Sequence, residues 1–183
     1  GLIGNNILYM NGNFIFTDMP YNGRYDPNNE DWDNTYWRWC YQGLHDNRKL
    51  DVPSDRFEQW KINIQPWKND GEYILLCPSS ETMTFYMHGC NVNEWIEKTS
   101  KQIREQTNRD IKVRLKPRKA GKSGPSVADT PLWSDLSNAH AVVVSGSLCA
   151  VDALIAGIPV FGTSDYAPSA WCTNRDFSKL ENP

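Results

Sequence analysis

Three small residues, Ser145-Gly146-Ser147, separate a buried apolar run from a predicted helix. A helix N-terminus offers unpaired N–H groups and a partial positive charge, and a glycine there lets an anion approach the backbone closely. The two serine hydroxyls add further donors. The stretch therefore predicts a phosphate or diphosphate site. The alternative is that Ser147 only caps the helix and Gly146 only permits the turn.

Three more side chains could complete such a site. Asp152 lies five residues after Ser147, where its carboxylate could accept hydrogen bonds from a ribose diol. Lys116 and Arg118 end the predicted strand "VRLKPR", and two cations there could neutralise a diphosphate. The alternatives are a solvated helix position for Asp152 and an ordinary basic loop for the two cations.

A transfer reaction would also need a general base to take a proton from an acceptor hydroxyl. The candidates are His88, Asp18 and Asp26. His88 follows the loop Ser79-Ser80, which itself ends an apolar run, and a structural histidine is its alternative interpretation. None of the three histidines is paired with Cys or Glu at ligand spacing, so no metal site is predicted.

Residues 71–183 contain the elements that must position these groups. Four segments have the pattern of buried strands, and they read "YILLC", "KVRL", "AVVVS" and "PVFG". Helices are predicted between them: one over 92–107 with Asn93 as N-cap, one beginning at Pro131, and one ending at Gly157. This alternation predicts an α/β fold with a Rossmann-like parallel sheet covered on both faces. Such sheets bind ligands at the carboxyl ends of their strands, where the polar clusters fall.

Residues 1–70 form a separate, irregular extension rich in Asn, Asp, Trp and Tyr. The segment "NILYMNGNFIF" predicts a hairpin that turns at Asn11-Gly12. The aromatic segment 32–67 is expected to pack on the α/β unit or on a second copy of the chain. Its alternative role is a stacking surface for a base or a sugar ring.

Composition narrows the function classes. The chain has 183 residues and a formal net charge of −3, which does not favour a nucleic-acid partner. No apolar run is long enough to span a membrane, and the N-terminus lacks a signal-peptide pattern. Five cysteines without a CxxC motif favour a reducing, cytoplasmic setting.

The segment "PLWSDLSNAHAVVVSGSLCAVDALIAGIPVF" resembles the C-terminal, nucleotide-sugar-binding half of GT-B glycosyltransferases and of sugar-nucleotide epimerases. "ILLCPSSE" and "VRLKPR" resemble other strand ends of that half, and the resemblance covers roughly residues 72–175. Among such proteins, the chain resembles phage-encoded glycosyltransferases or capsule-biosynthesis proteins, and a phage origin would place it in the host cytoplasm. Lys116 stands where the family usually has His, and Asp152 where many members have Glu.

The resemblance implies that Ser145, Gly146 and Ser147 face the donor diphosphate, that Asp152 holds the ribose, and that the helix ends in the Gly-x-Pro-Val of residues 157–160. Substrate-binding residues would then be Ser79, Ser80, Lys116, Arg118, Ser145, Gly146, Ser147 and Asp152. The implied reaction moves a sugar from a nucleotide-diphosphate sugar to an unknown acceptor, with no cofactor and no metal.

The first 70 residues are too short for the family's acceptor domain, so a homodimer or a partner chain is expected to complete that side. The alternatives are a nucleotide-binding module without catalysis and an assembly protein that retains a truncated GT-B fold.

Overall fold

The computed structural model describes residues 13–18, 37–43, 51–68, 70–116, 130–165 and 173–183. Their helices and strands follow in chain order: β1 Ile15–Asp18, β2 Arg38–Tyr41, α1 Asp55–Gln59, β3 Tyr73–Cys77, α2 Glu81–His88, α3 Val92–Arg104, β4 Asp110–Val113, α4 Leu132–Leu136, β5 Ala139–Val144, α5 Cys149–Ile155, β6 Val160–Gly162 and a 3₁₀ helix Phe177–Lys179.

The four C-terminal strands form one parallel sheet in the order β4-β3-β5-β6. This confirms the predicted α/β architecture and the four predicted strands, because continuous apolar runs suit a sheet that is covered on both faces. Strand β4 begins two residues before the predicted segment "KVRL" and ends at Val113. Beyond β6, Asn174 forms a parallel bridge with Phe161.

Strand β5 lies at the centre of the core, and all six of its residues are buried. Its side chains alternate between two apolar clusters, one on each face of the sheet. Val142 and Val144 pack with Leu75 and with Ala150 and Ala153 of α5. The other cluster holds Ala141 and Val143 together with Ile74, Leu76, Trp95, Ile103, Phe161 and Leu180.

Helix α3 covers the second face, and its N-cap differs from the prediction. The cap is Asn91, not Asn93: the Asn91 side chain accepts from the Glu94 N–H, and the Glu94 carboxylate accepts from the Asn91 N–H, each at 2.9 Å. This reciprocal capping box decides the start of the helix. Trp95, Thr99 and Ile103 then recur on the buried side.

Strand β4 is joined to α4 by a buried ion pair. Arg114, just after β4, donates to the Asp135 carboxylate, and Lys112 pairs with the same carboxylate at 2.6 Å. The Asp135 and Arg114 side chains are only 4% and 9% exposed. Burial disfavours the charge on Asp135, but the hydrogen bonds from Lys112 and Arg114 outweigh it and lower the pKa of the carboxyl.

The N-terminal extension is docked on the turn between α5 and β6. The Gln65 N–H donates to the Ile155 carbonyl at 2.9 Å, and the Lys68 N–H donates to the Gly157 carbonyl at 2.7 Å. Gly157 has a φ of +73°, which confirms it as the stop of α5. A Cβ on Gly157 would lie 2.0 Å from the Pro66 carbonyl oxygen, so the docked segment needs glycine here.

This backbone contact lies at the end of the aromatic segment 32–67, and the side chains of Trp37, Trp39 and Trp67 are more than half exposed. Packing of those rings on a second copy stays a prediction. The predicted Asn11-Gly12 turn lies outside the described residues, and β1 pairs antiparallel with β2. Among the helices described, none is long and apolar enough to cross a membrane.

Replacing Gly157 with Ala should destabilise the fold by more than the same change at Gly89. Both glycines have positive φ, but a Cβ on Gly89 meets nothing within 4 Å. Gly89→Ala should therefore show only the left-handed strain of about 1–2 kcal/mol. Gly157→Ala adds the clash with Pro66 and should also release the docked segment. The measurement is the free energy of unfolding from chemical denaturation, and an equal decrease in the two variants would contradict this packing.

Asp135→Asn should cost about 3–5 kcal/mol at pH 7, because it leaves Arg114 buried without its counter-charge. Because the pKa of Asp135 is lowered in the folded protein, its charge contributes fully to stability above the ordinary Asp pKa of about 4. This contribution is lost as the pH falls through the pKa of Asp135 in the folded state. The difference from the parent protein should therefore shrink in acid. The control is Asp165→Asn, whose 78%-exposed carboxylate pairs with Arg175 and should contribute at most about 1 kcal/mol.

Candidate functional site

The chain connections that leave β3 and β5 run in opposite directions across the sheet. From β3 the chain moves outward to β4, then crosses to β5 on the other side of β3 and continues outward to β6. In open parallel sheets, the crevice at such a switch point is where ligands bind. The two loops at this point are Pro78–Ser80 and Ser145–Ser147, which carry five of the predicted site residues.

These two loops are in contact. Ser79 is buried, and its Oγ lies 3.4 Å from the position that a Cβ on Gly146 would take. Ser80 is the N-cap residue of α2. Ser145 is fully buried at the end of β5. The structure thus brings the predicted serines of both strand ends together at one edge of the sheet.

Helix α2 begins after β3 and ends beside the loop that follows β5. Its last residue, His88, is hydrogen-bonded through Nε2 to the Ser145 Oγ at 2.9 Å. The His88 ring also lies 6.0 Å from that of Trp95, whose Nε1 donates to the Thr163 Oγ1 after β6 at 3.2 Å. This series of contacts follows the carboxyl edge from β3 to β6.

The side chain of Met87 covers Gly146. A Cβ on Gly146 would lie 2.5 Å from the Met87 Cε and 2.8 Å from its Sδ. The space predicted for an anion next to Gly146 is therefore occupied by a thioether. Methionine has three rotatable bonds, so this cover can move without a change in the backbone.

The turn itself offers two backbone donors. In the part of the chain that the structure describes, the N–H groups of Gly146 and Ser147 have no acceptor. Helix α5 begins only at Cys149, with Leu148 as its cap residue, and it has seven residues. The helix predicted from Leu148 with Ser147 as its cap therefore starts one residue later, and the Ser147 Oγ accepts from the Cys149 N–H at 3.4 Å. The hydrogen-bond donors at this site therefore belong to the turn and not to the first turn of helix α5.

His88 is the titratable group of this site. Burial, and to a smaller extent the charge of Lys98 on α3, lower the pKa of His88. The imidazole is therefore neutral at pH 7. A neutral imidazole next to a serine hydroxyl has the protonation state that a general base needs.

Two thiols lie just beneath the turn. Cys77, the last residue of β3, packs beside Cys149, the first residue of α5, and this neighbouring thiol together with burial raises the pKa of the Cys77 thiol. Both cysteines belong to one apolar cluster. They bring the end of β3 and the start of α5 together beside the turn.

The other predicted site residues lie on neighbouring elements or outside the described residues. Asp152 is exposed on the first turn of α5, and Lys116 is exposed beyond β4. Asp18 lies on β1, where its carboxylate pairs with Arg38 at 3.0 Å. Arg118 and Asp26 lie outside the described residues, so their roles stay predictions.

Sequence reasoning missed Met87, Lys98 and Arg114. No local signal marks the first two, because each acts across a tertiary contact. Arg114 stands inside the basic segment "VRLKPR", and its buried position comes from its pairing with Asp135 on α4, which no local pattern shows. It serves the fold through Asp135 and is not available to a ligand.

A polar cleft of about 460 Å³ lies beyond β6 and not at the switch point. Its walls include Gln102 of α3, Gln106 just after that helix, Thr163 after β6, and Arg175 and Ser178 near the C-terminus. Thr163 also bonds Trp95, so the cleft adjoins the edge described above. Within the described residues, no group of three or more His, Cys, Asp or Glu could hold a metal ion.

Comparisons with known proteins give no assignment: no protein-family model matches the chain, and neither do the curated proteins or the solved structures.

Lys98→Gln should raise the pKa of His88, because it removes a positive charge that disfavours the imidazolium. Lys101→Gln, one turn further along α3, should leave the titration unchanged. The measurement is an NMR titration of the His88 ring protons. A midpoint in the parent protein at or above about 6.5, the ordinary histidine value, would contradict the buried, cation-facing position.

Proposed function

We propose that the chain binds a nucleotide-diphosphate sugar at the carboxyl ends of β3 and β5 and transfers the sugar to an acceptor hydroxyl. The observation that supports this most is the turn at the switch point. It combines the serines of both strand ends with the backbone N–H groups of Gly146 and Ser147, which have no acceptor among the residues that the structure describes. Backbone N–H groups in a turn form a concave donor set that suits a diphosphate.

The remaining predicted residues extend this proposal. Lys116 lies beyond β4 at the same edge of the sheet, and Arg118 follows it two residues later. In the proposal both cations approach the diphosphate, and Asp152 accepts from the ribose. Together with the N–H groups of the turn, the cations stabilise the negative charge that develops on the leaving diphosphate. Stabilising charge that develops in the transition state lowers the reaction barrier most effectively.

The proposed reaction breaks the bond between the anomeric carbon and the diphosphate oxygen and forms one to the acceptor oxygen. The electron pair of the broken bond leaves with the diphosphate. The acceptor proton goes to His88, whose neutral imidazole can accept it at Nε2 once Ser145 releases that atom. Ser145 in turn keeps the ring oriented until then.

Met87 must leave Gly146 before a diphosphate can approach the turn. The proposed donor would thus displace a thioether, and the binding free energy would include the cost of moving it. The position of the Met87 side chain also favours a second candidate function, a protein that retains the fold but catalyses no reaction. The reason is that Met87 closes the site when no ligand is bound.

Met87→Ala should strengthen the binding of a nucleoside diphosphate, since it removes the group that has to move, and Gly146→Val should abolish binding. Ser147→Ala keeps the backbone donors but loses the bond to Cys149, so it should cost about 1 kcal/mol of stability with little change in affinity. The measurement is calorimetric titration with uridine and guanosine diphosphates, their sugar derivatives and inorganic pyrophosphate. Melting curves accompany it, because valine at 146 also displaces Met87.

Two results would decide between the candidates. Binding in the parent protein and loss of sugar transfer in His88→Asn would support the enzyme. Binding without release of nucleoside diphosphate, even with a panel of glycan acceptors, would leave a binding module. If none of the diphosphates binds even to Met87→Ala, the proposed site is wrong.

A further inference from the structure

The two-stranded sheet of β1 and β2 has its charged side chains on its less exposed face. Phe16, Asp18, Arg38 and Cys40 alternate onto this face, and Cys40 is 2% exposed. The Arg38 guanidinium pairs with Asp18 at 3.0 Å and lies 5.9 Å from the centre of the Phe16 ring. These contacts hold the charges of the two strands on one side.

The opposite side of this sheet carries exposed aromatic rings, and we refer to it as the aromatic face. It consists of Trp37, Trp39 and Tyr41 with Ile15 and Thr17 on the neighbouring strand. Trp39 is 69% exposed, Tyr41 57%, Trp37 51% and Ile15 59%. The register places Ile15 opposite Tyr41 and Thr17 opposite Trp39. Exposed rings in one continuous patch indicate an interaction surface, whereas isolated ones do not.

The spacing of the rings is set by the strand. Side chains two residues apart on one face are about 6.8 Å apart, since a strand rises about 3.4 Å per residue. Trp37, Trp39 and Tyr41 therefore form a row of three rings. A row of this kind suits an extended ligand that presents one flat unit after another.

We propose that the aromatic face binds a neutral glycan, with successive sugar rings stacked on Trp37, Trp39 and Tyr41. Sugar rings present apolar C–H faces rimmed by hydroxyl groups. Trp and Tyr match this pattern, because each combines a flat apolar body with one polar group at its edge. An aliphatic partner surface would be matched by branched side chains, of which this face has only Ile15.

The charge on the face favours a neutral ligand. None of its five residues is charged, and the guanidinium of Arg38 points to the other side, where Asp18 holds it. A nucleic-acid strand needs cations along its phosphates as well as rings for its bases. A neutral glycan needs only the rings and hydrogen-bonding groups. This inference goes beyond the proposed function and stands without it, because no residue of the turn at Gly146 takes part.

The test is affinity electrophoresis of the full chain in native gels that contain dextran, hydroxyethylcellulose or glucomannan. We expect at least one of these neutral polymers to retard the parent protein. Trp39→Ala should weaken that retardation at least tenfold in apparent affinity, and Trp39→Tyr should restore most of it because the ring is retained. The matched control is Trp133→Ala, an equally exposed tryptophan (70%) on α4, which should change nothing.

Several outcomes would overturn the inference. These are no retardation by any of the three polymers, equal losses in Trp39→Ala and Trp133→Ala, or retardation only by heparin or single-stranded DNA. A change from dimer to monomer in Trp39→Ala, measured by sedimentation, would show that a second copy occupies the face. Melting curves verify that the variants are folded. If Trp39→Ala does not fold, the comparison of Trp39→Tyr with the parent protein tests the inference instead.

Discussion

Strand β5 is the constraint on which the rest of the structure depends. Its six residues are all buried, so it must be paired on both edges and covered on both faces. Strands β3 and β6 provide the edges, and two apolar clusters provide the faces. At its start, the His140 Nε2 is hydrogen-bonded to the Leu180 carbonyl at 2.9 Å, which brings the C-terminal segment onto the sheet. At its end, Ser145 is also buried, so the turn that follows begins from a fixed point.

Because the turn is fixed, the helix after β3 controls access to it. Helix α2 contributes His88 to Ser145 and Met87 to Gly146, so one element both supplies the titratable group and closes the site. The cations are divided in a similar way. Arg114 is committed to Asp135 in the fold, so the cations in our proposal are Lys116 and Arg118. In our account, binding is therefore coupled to the conformation of the Met87 side chain.

The sequence allowed the parallel sheet to be predicted because continuous apolar runs such as "AVVVS" and the stop at Gly157 are local signals. Helix α2 was not predicted, since only Thr84 of its eight residues is fully buried and no apolar periodicity marks it. The pairing of His88 with Ser145 joins residues 57 positions apart, which no local pattern reveals. The choice of Asn91 over Asn93 as N-cap depended on Glu94, a capping-box signal that was present in the sequence but not used.

The central claim is that the turn between β5 and α5 is the binding site for a diphosphate. The most direct measurement is a backbone-amide NMR titration with uridine diphosphate. Our account predicts that the largest shift changes fall on the Gly146 and Ser147 amides, with matching changes at the Met87 methyl group and the His88 ring. Saturable binding that perturbs Arg175 and Ser178 in the cleft beyond β6, and leaves Gly146 and Ser147 unchanged, would contradict it.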